Sequence, residues 1–243
     1  MHTTHSPTAT PRRSPLRRAL PALAVLFALA LPGSEALARH RNHHAAQPRG
    51  EAVAGQFDYY LLSMSWSPTY CLTHPDNTAE CGGRGYGLIL HGLWPQYEAG
   101  GYPEDCATEA RLDGESLRIG TSLYPGESLL RHEWQKHGSC TGLSPVDYLR
   151  TADRATAVLK SPPVLEAPPR DQAMTTRQLL EQLHAANPGL PEGALRIACT
   201  RDQLSEIRVC LTRDLVPRDC GRGVGGHCPA DQLAIPAARP SSR

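Results

Sequence analysis

Alternating apolar and polar positions divide the chain into segments with different predicted structures. FDYYLLSMSW, residues 57–66, is rich in aromatic and aliphatic residues and predicts a buried strand. GLIL, residues 87–90, predicts a shorter strand that carries His91 at its end. ALRIACT and SEIRVCLTR, late in the chain, predict two paired strands.

Three segments carry the signals of helices. ESLLRHEWQKHG predicts a helix that ends at Gly138, since glycine is common just past a helix C-terminus. Ser144 and Pro145 fit the N-cap and first position of a second helix, which runs to about residue 160. TTRQLLEQLHAAN predicts a third helix, ended by Pro188 and Gly189.

Turn residues fill two of the remaining stretches. Residues 71–85, with the sequence CLTHPDNTAECGGRG, and the glycine- and proline-punctuated residues 98–126 are both predicted to be loops. Helices in the middle and strands on either side predict an α+β fold, in which helices pack on a central antiparallel sheet.

The two ends of the chain differ in composition from the middle. Four arginines precede the apolar run ALPALAVLFALALPG and an Ala-Leu-Ala end, which predicts a signal peptide over residues 1–38. The run is too short to suggest a membrane anchor. Residues 39–55 are polar and rich in histidine, and predict a flexible leader. We therefore expect the folded domain over 56–235 and a disordered tail over 236–243.

Charge limits the function of the mature chain. Cleavage after residue 38 leaves 243 − 38 = 205 residues, with 25 − 4 = 21 basic and 24 − 1 = 23 acidic side chains. A net charge of about −2 does not fit a protein that binds nucleic acid through a broad basic surface. Any nucleic acid must be held by a local site.

All eight cysteines follow the predicted signal peptide. An even count behind such a segment predicts four disulfides formed in an oxidising compartment, so we expect a secreted or periplasmic protein. The absence of a C-x-x-C pair argues against a zinc ribbon or a thioredoxin-like site. Spacing alone leaves about 105 pairings open.

Candidate chemistry is concentrated in HEWQKHGSC. At about 100° per residue, its ionisable groups share one side of the predicted helix, and the large apolar residues lie toward the other. These groups are His132, Glu133, Lys136 and His137. A solvated charged face would look similar, but Cys140 predicts a covalent anchor beside this one. The chain contains two lysines and 23 arginines, so a lysine here favours a need for a compact ammonium.

A zinc protease is the obvious alternative for a segment that begins with His-Glu. That class needs H-E-x-x-H, with two histidines one helical turn apart. Here the second histidine is His137, and Lys136 occupies the position of the expected ligand. We therefore expect no metal and no cofactor.

HGLWPQY, residues 91–97, supplies another histidine beside Trp94. HGLWP followed by HEWQKHGSC resembles the two active-site segments of the ribonuclease T2 family, secreted acid ribonucleases that include plant S-RNases. WSPTYC, residues 66–71, also fits, and the resemblance covers Phe57 to about Cys228. Gln96 departs from the Asp or Asn of many members, which bears on base preference.

The resemblance implies a role for each residue. His137 would be the base and His91 the acid, and Glu133 would stabilise the transition state. The substrate-binding residues would be His132 and Lys136 at the phosphate and Trp94 stacked on a base. Core packing is the alternative role for Trp94.

The resemblance also implies the reaction and the disulfides. Single-stranded RNA would be cut by 2′-O transphosphorylation, through a 2′,3′-cyclic phosphate to 3′-phosphate ends, with low base specificity. We expect a monomer that acts on neither DNA nor membranes. The implied pairs are Cys71–Cys81, Cys106–Cys140, Cys199–Cys228 and Cys210–Cys220. An inactive secreted RNA-binding or cytotoxic protein is the alternative, but both histidines of the pair are present.

Overall fold

A mixed sheet forms the centre of the computed structural model, which describes residues 52–226, 228 and 231–239. Its strands are β1 (Tyr59–Trp66), β2 (Leu88–Gln96), β3 (Gln172–Met174), β4 (Leu195–Thr200), β5 (Gln203–Leu211) and β6 (Leu233–Ile235). The helices are α1 (Ser67–Thr73), α2 (Thr78–Cys81), α3 (Gly114–Leu123), α4 (Glu127–Lys136), α5 (Pro145–Thr156) and α6 (Thr176–Ala186). The strand order is β2-β1-β5-β6-β3, with β4 also paired to β5.

The centre of the sheet follows the prediction. Strand β1 pairs antiparallel with β2 on one side and β5 on the other, and β4 pairs antiparallel with β5. The sheet is not wholly antiparallel, because β5 and β6 make one parallel contact between Gln203 and Ala234. The chain between β5 and β6 crosses over instead of turning back, which brings β6 alongside in the same direction.

The helices predicted at 127–138, 144–160 and 175–187 correspond to α4, α5 and α6. The loop predictions for 71–85 and 98–126 were wrong in part. The first range contains the end of α1 and all of α2, and the second contains α3. Asn77 caps α2, and a reciprocal capping box between Asp113 and Ser116 begins α3. The polar turn residues that predicted loops are therefore helix N-caps at these positions.

Gly138 serves close packing. Helix α4 ends at Lys136, and a 3-10 turn follows over Gly138–Thr141. A Cβ on Gly138 would come within 2.7 Å of the Trp134 ring and 2.8 Å of the Tyr148 ring. Glycine at this position therefore lets the end of α4 pack tightly against α5.

The core lies between one face of the sheet and the helices. Leu62, Leu93, Leu130, Leu149 and Ile207 are among its fully buried side chains. Four disulfides join Cys71–Cys81, Cys106–Cys140, Cys199–Cys228 and Cys210–Cys220, the pairing that the family resemblance implies.

Chain outside the predicted domain also contacts it. The Trp66 indole donates to the Pro236 carbonyl at 2.9 Å, and Ala238 is buried, so the packed chain passes the boundary expected at residue 235. Gly55 donates its backbone N–H to the Cys140 carbonyl at 2.9 Å. The predicted signal peptide, most of the predicted leader and residues 240–243 lie outside the described residues.

Candidate active site

A bulge in β2 directs His91 into the site. Gly92 pairs with Ser63 and Leu90 with Met64, so His91 is an extra residue without a partner across the ladder. Such a bulge turns a side chain out of the alternation of its strand. The expectation that His91 ends its strand was wrong, since β2 continues to Gln96.

His91 lies between two carboxylates. Its Nδ1 is 2.6 Å from Oε1 of Glu206 on β5, and its Nε2 is 3.6 Å from Oε1 of Glu133 on α4. Burial opposes the charged form of His91, but the hydrogen bond and charge of Glu206 outweigh it and raise the pKa. The neighbours of His91 therefore favour the imidazolium.

Glu133 enters the site from the middle of α4 and is nearly fully buried. Its Oε2 accepts a hydrogen bond of 2.7 Å from the Trp94 indole, and its Oε1 has no hydrogen-bond partner in the described part of the chain. A Cβ on Gly92 would collide with this carboxylate and with Trp94. Burial raises the pKa of Glu133 to about 7, so protonation at mildly acidic pH relieves the cost of burying a charge.

His137 follows the last residue of α4 and is buried. Its Nδ1 has no hydrogen-bond partner among the residues described. Burial, followed by the positive charges of Lys136 and His132, lowers the pKa of His137 to about 3. His137 is therefore neutral at the pH at which His91 is charged.

Trp94 lies between the two histidines. Its ring centroid is 5.0 Å from that of His91 and 5.1 Å from that of His137. A cavity of about 330 Å³ adjoins it, with Gln96, Tyr102 and Arg208 in its wall. Trp94 is partly exposed beside this cavity and also packs against the buried cluster of Tyr59, Leu61 and Cys210.

The two predicted phosphate-binding residues lie at the edge of this group. The Lys136 ammonium pairs with Glu104 at 3.2 Å, and His132 is exposed on α4. The disulfide of Cys106 with Cys140 ties the chain that carries Glu104 to the turn after α4. The site thus combines a buried acid–base group with cations nearer to solvent.

Sequence reasoning missed two residues of β5. Glu206 and Arg208 alternate with Ile207 and Val209, a pattern that indicates one polar face of a strand. The same alternation would suit a solvated face, so the pattern alone does not show that His91 lies across from Glu206. Tyr102 was missed as well, since it lies in a glycine- and proline-rich stretch with no periodicity.

The described residues contain neither a cluster of metal ligands nor a membrane-spanning helix. No group of three or more histidine, cysteine, aspartate or glutamate side chains within this part of the chain could hold a metal ion. No helix within it is long and apolar enough to cross a membrane.

The fold and the site together define an acid–base enzyme. A sheet face and the end of one helix bring two histidines, two carboxylates and an aromatic cavity together. Opposite displacement of the two histidine pKa values is the arrangement that general acid–base catalysis requires.

Comparisons with known proteins agree with this class. The model of the ribonuclease T2 family matches residues 57–220. A ribonuclease of Aeromonas hydrophila is 39% identical over 176 residues, which cover 70% of this chain and 78% of that protein. The chain therefore belongs to the ribonuclease T2 family, and it is an endoribonuclease.

Solved structures show the same fold. An RNase-related protein from Calystegia sepium superposes with a TM-score of 0.61 at 20% identity, over 75% of this chain and 98% of that one. RNase NT in complex with 5′-AMP gives a TM-score of 0.58 at 22% identity, over 74% of this chain and 98% of that one.

Proposed function

We propose that this enzyme cuts single-stranded RNA without a metal ion, using the 2′-hydroxyl of the substrate as nucleophile. The observation that carries the proposal is the pair of histidines on either side of Trp94, with the pKa of one raised and that of the other lowered to about 3. A neutral and a charged imidazole at the same pH are the two partners of proton transfer.

In the first step, His137 takes the proton of the 2′-hydroxyl as that oxygen bonds to phosphorus. The bond between phosphorus and the 5′-oxygen breaks, and that oxygen takes its proton from Nε2 of His91. The products are a 2′,3′-cyclic phosphate and a free 5′-hydroxyl. His91 Nε2 suits this role because Nδ1 is engaged by Glu206 at 2.6 Å.

In the second step, the two histidines exchange roles. His91 takes a proton from water as the water oxygen bonds to phosphorus. The bond to the 2′-oxygen breaks, and His137 returns its proton there to leave a 3′-phosphate. The order base His137, acid His91 follows the protonation states that burial and Glu206 favour.

Glu133 and Lys136 stabilise the charge that develops on the phosphate. Glu133 has a pKa of about 7, so at acidic pH it is protonated and its unpartnered Oε1 can donate to a phosphate oxygen. Lys136 and His132 add positive charge near the edge of the site. Preorganised groups of this kind often make the largest contribution to lowering a barrier.

Trp94 and the cavity beside it hold a base. The cavity of about 330 Å³ is lined by Tyr102, Gln96 and Arg208 as well as Trp94. Aromatic stacking accepts every base, which supports low base specificity. Relative rates on the four homopolymers test this expectation, and cleavage of only one of them would contradict it.

A mixed oligonucleotide gives the sharpest test of the reaction. A DNA strand with a single ribonucleotide should be cut only on the 3′ side of that residue, at the same rate with and without EDTA. Phosphorus NMR should show the cyclic phosphate before the 3′-phosphate. Cutting at deoxynucleotides, or activity only with added divalent ions, would contradict the mechanism, and an all-DNA strand is the control.

Export precedes activity in this proposal. The apolar run near the N-terminus predicts a signal peptide cleaved after residue 38, and the eight cysteines form four disulfides, which supports a secreted or periplasmic protein. We propose that it acts as a monomer. Intact mass of the exported protein, together with its elution volume, tests both points. A mature N-terminus other than Arg39, or a stable dimer, would contradict them.

A further inference from the structure

Glu206 contacts the ring nitrogen of His91 that faces away from Glu133. Its Oε1 is 2.6 Å from Nδ1 of His91, and its Oε2 accepts from the Arg208 guanidinium at 2.7 Å. Glu206 is itself buried. Both oxygens therefore have fixed partners, and the carboxylate has little freedom to turn away.

The anchor continues beyond Glu206. Arg208 also donates to the Gly225 carbonyl at 3.0 Å and lies over the Trp94 ring, 5.7 Å from its centroid. Strand β1 lies between β2 and β5, and it presents only Ser63 and Ser65 where it pairs with Arg208 and Glu206. These small side chains leave room for His91 and Glu206 to meet across it.

A carboxylate can only accept a hydrogen bond, so Nδ1 must be the nitrogen that carries hydrogen. The remaining nitrogen, Nε2, then faces Glu133, where the proposed function requires the reacting phosphate. We propose that Glu206 is a positioning residue, which fixes the Nδ1–H tautomer of His91 and keeps Nε2 available for proton transfer in both steps. This inference rests on the proposed function and assigns a role to a residue outside the two motifs.

Charge adds to the effect of the hydrogen bond. The bond from His91 and the charge of Arg208 outweigh burial and lower the pKa of Glu206 to about 2, so Glu206 stays ionised over the working range. Four other ionisable groups act on His91 from the elements around it. They are Arg208 on β5, Glu133 on α4, His137 at the end of α4 and Glu80 on α2.

The variant Glu206→Gln removes the negative charge of this side chain and keeps its shape. The amide keeps the size of the side chain and can still accept from Nδ1, but the negative charge is gone, so the pKa of His91 should fall. The alkaline limb of the kcat/KM profile should move to lower pH by the same amount. Glu115→Gln is the matched control, because Glu115 is an exposed carboxylate on α3 that pairs with Arg150 at 2.8 Å and contacts none of the site residues named above.

The cyclic-phosphate step should respond more strongly. An amide can also rotate and donate to Nδ1, which would place hydrogen on Nε2 and prevent His91 from acting as a base. Hydrolysis of a 2′,3′-cyclic nucleotide should therefore slow by about tenfold more than cleavage of a dinucleotide, an effect that lost stability alone would not produce.

The tautomer itself can be read in the unmodified protein. Nitrogen NMR of neutral His91 should show hydrogen on Nδ1, and this result needs no variant to fold. Hydrogen on Nε2 would overturn the proposal, as would a Glu206→Gln enzyme with an unmoved alkaline limb. If the parent enzyme failed to cut RNA, the proposed function would be wrong, while the tautomer would still decide whether Glu206 positions His91.

Discussion

At the scale of single residues, different surroundings give the two histidines opposite protonation states. His137 loses its proton readily because it is buried near cations, and His91 keeps its proton because Glu206 lies against it. Neither effect is visible in the residue types themselves. Each depends on which neighbours the fold supplies.

The pH dependence of kcat/KM follows from these states. Activity needs neutral His137, which becomes protonated below its pKa of about 3. It also needs charged His91, whose raised pKa sets the upper pH limit of activity. The profile should therefore be a bell with an acidic optimum. Initial rates on a dinucleotide between pH 3 and 9 measure it, and a rate still rising above pH 8 would contradict the assignment.

Removing either histidine should abolish proton transfer without unfolding the protein. His91→Ala and His137→Ala should each lower kcat by about 10²–10⁴-fold, the usual contribution of a general acid or base. His91 is only partly buried, so the melting temperature of His91→Ala should change less than that of His137→Ala. Rates and thermal melts of both variants test this, with His184→Ala on α6 as a control histidine. Near-full activity in either variant would exclude it as a proton carrier.

At the scale of elements, the end of α4 depends on a covalent tie. The disulfide of Cys106 with Cys140 and the hydrogen bond from Asp105 N–H to the Lys136 carbonyl, at 2.9 Å, both hold this end. Replacing Cys106 and Cys140 together by alanine should lower the free energy of unfolding by about 2–5 kcal/mol. Urea denaturation measures the loss. An unchanged midpoint would show that packing alone holds the helix end.

The elements that sequence predicted well are those with a single dominant pattern. Helix α5 begins at the expected serine and proline, and β1 is dominated by aromatic and aliphatic residues. Helices α2 and α3 were missed because their N-cap residues, Asn77 and Asp113, are also turn formers, and α1 was missed because it has no capping side chain. Short helices gain their stability from packing, which local sequence does not report.

The residues of the candidate site also fall into two groups, those that the sequence predicts and those that it does not. His91 and the residues of HEWQKHGSC could be found because they lie in two contiguous segments. Glu206 is separated from His91 by 115 positions, and the two meet only because β1 pairs with both β2 and β5. Contacts between distant strands are set by pairing and register, so they could not be deduced from either segment alone.

At the scale of the whole molecule, the buried Glu133 carboxylate lowers folding stability as the pH approaches neutrality. The pKa of Glu133 rises from 4.5 to about 7 on folding, so the folded state binds its proton more tightly than the unfolded chain. Folding stability from this group is present below pH 4.5 and is lost as the pH rises through 7.

Glu133→Gln should remove this dependence. Relative to the parent, the variant should gain about 3 kcal/mol of stability between pH 4 and pH 8, an upper value from the size of the pKa shift. Urea denaturation at both pH values measures the difference, and turnover should fall at the same time. An equal effect of the substitution at the two pH values would show that Glu133 is not buried as a charge.

The bulge at His91 makes the enzyme depend on the length of β2 as well as on its composition. His91 is the one residue of the strand that has no partner on β1, between Leu90 and Gly92. Deleting Leu90 would restore regular pairing and turn the imidazole toward the opposite face, although every motif residue would remain. The number of residues in β2, and not only their identity, therefore positions the catalytic imidazole.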